Sequence, residues 1–102
     1  MKRMKIQLKR KRMSNPRIKP LGNESNLATG IGNSTTVGSA TVVRVVNSSG
    51  GSVVVGLQTA GFIGFSTFTM LNNTMEMVVK RADDLIHVTG GTVQVTKVGF
   101  TN

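Results

Sequence analysis

From Ala40 onward no stretch runs longer than ten residues without a turn-forming break. The runs are TVVRVV (41–46), SVVVGLQT (52–59), FIGFSTFTML (62–71), TMEMVVKR (74–81), LIHV (85–88) and TVQVTKVGF (92–100). Between them stand NSSGG, AG, NN, ADD and TGG, where Gly, Asn and Asp supply turn geometry. Runs this short and this rich in β-branched residues read as strands, and no window after residue 20 carries a helical period. Each break reads as a hairpin connection, because parallel neighbours need a crossover of a dozen residues or more. The expected fold is all-β: a small antiparallel β-sandwich or open barrel of about six strands.

Alternation assigns faces to these strands. In 74–81, Met75, Met77 and Val79 share one side, while Thr74, Glu76, Val78 and Lys80 share a mostly wet one. In 92–100, Val93 and Val95 point inward, and a bulge near Thr96 and Lys97 would return Val98 or Phe100 to the core. The strand 41–46 carries valine on both sides: Val43 and Val45 on one, Val42 and Val46 flanking Arg44 on the other. Its second face therefore also calls for a cover, which marks Val42, Arg44 and Val46 as a docking face.

A β-unit of about 60 residues buries only about 60% of the surface of its unfolded chain. With no Cys for a disulfide, no Trp and no Tyr, the core is thin. Covering apolar faces and strand edges with neighbouring copies would repair that deficit.

The remainder divides in two. Residues 1–20 form a basic N-terminal arm closed by Pro16 and Pro20, and 21–39 form a linker rich in Gly, Asn, Ser and Thr, ahead of the β domain at 40–102. Nine of the 13 basic residues lie within 1–19, whereas four basic residues balance four carboxylates beyond. The net charge of +9 thus belongs to the arm and the body is neutral. The arm alone can bury almost nothing, so its residues are expected to act on a partner. Lys2, Arg3, Lys5, Lys9, Arg10, Lys11, Arg12 and Arg17 are the expected contacts. Within the arm, Met4, Ile6 and Leu8 alternate with Lys5, Gln7 and Lys9, a strand pattern too short to exclude the helical spacing Met1, Met4, Leu8.

Little points to chemistry. His87 is the one histidine and the carboxylates number four. His87 reads as structural, and Asp83 and Asp84 as turn residues making local backbone hydrogen bonds. TGIGNST lacks the Lys-Ser/Thr and helix of a phosphate loop. Neither catalysis nor a metal or cofactor is expected. The charged start has no apolar segment behind it and no 18-residue apolar span exists, so a soluble protein without membrane attachment is expected.

The segments TVVRVVN (41–47), GFSTFTML (64–71), VVKRADDLI (78–86) and VQVTKVGFTN (93–102) resemble the small virion structural proteins of marine tailed bacteriophages. The likeness is to short β-sandwich proteins of cyanophage-type particles and covers residues 39–102. It implies a structural protein of the virion, a capsid decoration or cement protein, or alternatively a tail or neck protein. Its partners would be major capsid or tail subunits and copies of itself. A third reading, from charge alone, is a small nucleic-acid-binding protein that neutralises phosphates with the arm.

Overall fold

The computed structural model describes residues 17–61 and 65–101, the last by its backbone only. Among the described residues there are eight strands: β1 Arg17–Pro20, β2 Ser25–Leu27, β3 Val42–Asn47, β4 Val53–Gln58, β5 Phe65–Met70, β6 Thr74–Val79, β7 Leu85–Thr89 and β8 Val93–Thr101. One 3-10 turn spans Ile31–Asn33. All pairings are antiparallel and make two sheets. The first runs β1-β8-β3-β6, with β2 also on β8; the second runs β5-β4-β7.

The chain is thus an antiparallel β-sandwich, and the six expected runs are its strands β3 to β8. The connections differ from expectation. Of the five breaks read as hairpins, only the one after β4 joins paired neighbours. The other four carry the chain from one sheet to the other. Facing sheets lie about 10 Å apart, a gap that three or four extended residues cover as readily as a hairpin covers its own.

The core is nearly all valine. Val43, Val45, Val78, Val93 and Val95 from the first sheet meet Val53, Val55, Met70, Ile86 and Val88 from the second, each under a tenth exposed. Val93 and Val95 point inward as expected. The faces of β6 are reversed, because its inward residue is Val78 and its methionine side looks outward. Met75 and Val79 are exposed there, Val79 at 73%. The outward surface of this sheet is itself apolar, so local hydrophobicity could not tell inside from outside.

The bulge expected near Thr96 and Lys97 is absent. β8 keeps register with β3 through both, with Arg44 opposite Thr96 and Val43 opposite Lys97, and the extra residues lie instead between β1 and β2, across from it. Pro20 pairs with Val98 and Ser25 with Val95, so residues 21–24 face those two positions as an excursion. Val98 is buried on the outward face of β8 and Phe100, at 57%, is exposed.

The boundaries 1–20 and 21–39 need correction. Arg17–Pro20 is a strand against Phe100 and its neighbours on β8, so the arm joins the domain before it ends. Residues 21–39 are no linker: β2 lies on β8 with Leu27 only 3% exposed. Further along, the Gly30 amide donates to the Val88 carbonyl, and Thr35 exchanges backbone hydrogen bonds with Ile86. This segment lines the edge of β8 in one sheet and of β7 in the other, and so clasps that side of the sandwich shut. Its polar composition hid it, because main-chain hydrogen bonds hold much of the segment while few of its side chains, Leu27 and Val37 among them, pack on the core.

Candidate interaction surface

Two surfaces remain unclosed. Opposite the clasp, β5 ends the second sheet and β6 ends the first, and no described strand pairs with the outer edge of either. Between them lies a cleft of about 330 Å³, lined by residues 66–68 of β5, 76–78 of β6 and Leu57. Phe68 and Glu76 stand at core-facing positions, opposite Val55 and Val45 respectively. Phe68 is nevertheless 38% exposed and Glu76 is exposed. The sheets part here and leave their inner faces open to solvent.

The second surface is the outward face of the first sheet. Ile18, Phe100, Met75 and Val79 are exposed there, beside half-buried Val46 and Met77. Arg44 crosses this face and meets the Glu24 carboxylate at 3.6 Å, so the excursion at 21–24 covers part of it. Of the expected docking residues, Val42 is only 9% exposed and offers a partner no surface. Arg44 and Val46 are half-buried beside the more exposed residues that pattern reading had placed inside or left aside.

Of the expected arm contacts, Arg17 lies on β1, exposed, with Thr101 as its strand partner. Lys2, Arg3, Lys5, Lys9, Arg10, Lys11 and Arg12 fall outside the described residues.

Of the polar residues weighed for chemistry, Asp84 and His87 are buried and Asp83 is exposed. Asp84 accepts a hydrogen bond from the Arg81 amide at 3.0 Å, as a turn aspartate should. Beside it the Lys80 ammonium donates to the carbonyls of Arg81, Ala82 and Asp84 at 3.0, 3.4 and 2.8 Å. Burial lowers the Lys80 pKa below its usual value, against the attraction of Asp84 and Asp83. His87 shares the outward face of β7 with Leu85, lies across Gly56 and stacks on Phe65 with ring centroids 5.4 Å apart. It is 4% exposed, and burial lowers its pKa as well. No described residue hydrogen-bonds to its Nδ1. Among the described residues no cluster of three metal-binding side chains occurs, and no helix is long and apolar enough to cross a membrane.

One organising residue escaped sequence reading. Asn47 is fully buried at the end of β3, and its amide nitrogen reaches the carbonyls of Gly51, Met70 and Leu71 at 3.0 to 3.1 Å. Its carbonyl oxygen accepts from the Ser49 amide and hydroxyl. An Asn directly before SSGG was the available signal, since Asx residues satisfy turn backbones.

Compared with known proteins, the chain matches no family model, no curated protein and no solved structure.

Proposed function

We propose that this chain is a structural protein of a viral particle, a capsid decoration or cement protein whose basic leader clamps neighbouring subunits. The observation that carries the reading is a division of charge along the chain. Residues 1–16 hold seven cations, while the rest carries six basic residues against four carboxylates. The sandwich adds an outward apolar face and two strand edges with which no described strand pairs. Such a module gains stability by lying on copies of itself or on a shell, and a tethered cationic leader adds contacts at high effective concentration. The resemblance of residues 39–102 to virion structural proteins points the same way.

The decisive comparison is particle incorporation of the full chain against a variant lacking residues 2–16. The cut must stop there, because Arg17–Pro20 belongs to the sheet. The variant is expected to fold, with unchanged circular dichroism, and to be missing from purified particles. A truncated chain found at full occupancy would sink the proposal.

A further inference from the structure

We propose that the outward face of the first sheet is a self-complementary interface, through which two copies of this chain pack face to face about a two-fold axis. The inference goes beyond the particle reading and does not rest on it, since this surface is complete without the leader. Its apolar part is a row that crosses the sheet. Val79 pairs with Val42, Val42 comes level with Val98, and Val98 pairs with Pro20. Beside the row stands the exposed cross-strand pair of Ile18 and Phe100.

Charge identifies the occupant. Of the described side chains that β1, β3, β6 and β8 turn outward, Arg44 alone is charged, and Glu24 from the excursion neutralises it. Nucleic acid and anionic lipid are drawn to basic patches, and this face is neutral. The pair stands at 3.6 Å, beyond hydrogen-bond distance, with 37% of the arginine side chain and 52% of the glutamate side chain exposed. The guanidinium therefore keeps donors for a second carboxylate.

A second copy supplies it. When a two-fold axis lies in the interface and runs between the two groups, each Arg44 comes against the other copy's Glu24, and the charges of the two copies alternate. Arg44 rises from β3 and Glu24 from beyond β8, so that axis follows the middle of the sheet. The same rotation lays β6 of each copy over β1 of the other, and Val79 comes down beside the other copy's Pro20 and Ile18. Four strands about 4.8 Å apart and about 20–30 Å long present about 400–550 Å². Two such faces bury about 800–1,100 Å², the lower end of specific interfaces, so the dimer is weak and depends on concentration.

The test is sedimentation velocity of the full chain, over a concentration series reaching about 1 mM. Self-association is expected. Val79→Lys, at an exposed position that leaves the fold intact by circular dichroism, should weaken it at least about tenfold, because the apolar contact is made twice. Arg44→Glu and Glu24→Arg should each weaken it about tenfold by setting like charges face to face, although the first lowers the chain's net charge. An equal mixture of these two variants should regain the association that each lacks alone. A chain that stays monomeric throughout overturns the inference. Association indifferent to Val79→Lys does so too, and so does a mixture no better associated than its components.

Discussion

At Asn47 one side chain joins three pieces of backbone: the 48–51 loop, the end of β5 and the turn into β6. Replacing it with alanine strands several buried carbonyls at once, and such groups cost about 1–3 kcal/mol when left unpaired. Asn47→Ala is therefore expected to lower stability by about 2–3 kcal/mol in urea unfolding, in line with those costs. At Gly56 the constraint is steric. A Cβ there would run into the His87 ring, so Gly56→Ala should cost about 1–3 kcal/mol by overpacking. His87 also sets a pH response. Burial keeps its folded pKa below the ordinary 6.5, so on acidification the unfolded chain takes up a proton before the folded one does. The contribution is whole above that ordinary value and is lost as pH falls through the folded one. Unfolding measured between about pH 7 and about pH 5 should show stability falling, with a shallower fall in His87→Gln.

Among the elements, the clasp is the part that sequence reading underrated. The six valine-rich runs were legible because each has enough β-branched residues to define a strand by itself. RIKP and SNL have no such pattern; they are strands only because β8 offers them an unpaired edge. Connection length misled for a related reason, since a short link specifies proximity without specifying which sheet the next strand joins. The outward face of β6 was misread because exposed Val79 and Met75 look like core to any local rule. In the candidate site, the leader's charge and alternation were visible in sequence, whereas the cleft was not, since Leu57, Phe68 and Glu76 meet only through pairing across two sheets. Leu27 tests the clasp directly. It is 3% exposed, and Leu27→Ala should cost about 2–4 kcal/mol, as for other buried leucines, by the same urea assay. A loss under about 0.5 kcal/mol, the range of ordinary surface substitutions, would mean that the clasp is ornamental.

For the molecule as a whole, charge and fold occupy different parts of the chain, and salt should reveal it. Seven cations in residues 1–16 can release counterions from duplex DNA with a logarithmic slope of up to about −6. Binding measured by fluorescence anisotropy is expected at low ionic strength and should vanish near physiological salt, as for non-specific contacts. Tight binding that survives would instead support a nucleic-acid role. The strand order has a kinetic corollary. β8 pairs with β1, β2 and β3 at once, and Arg17 finds its partner at Thr101, over eighty positions downstream. During synthesis the early segments must therefore wait, unsatisfied, until the ribosome has released the last strand. Loop closure over such spans is slow, and a cell making many copies would hold a pool of half-finished chains with sticky edges, so that expression at lower temperature should raise the yield of native protein.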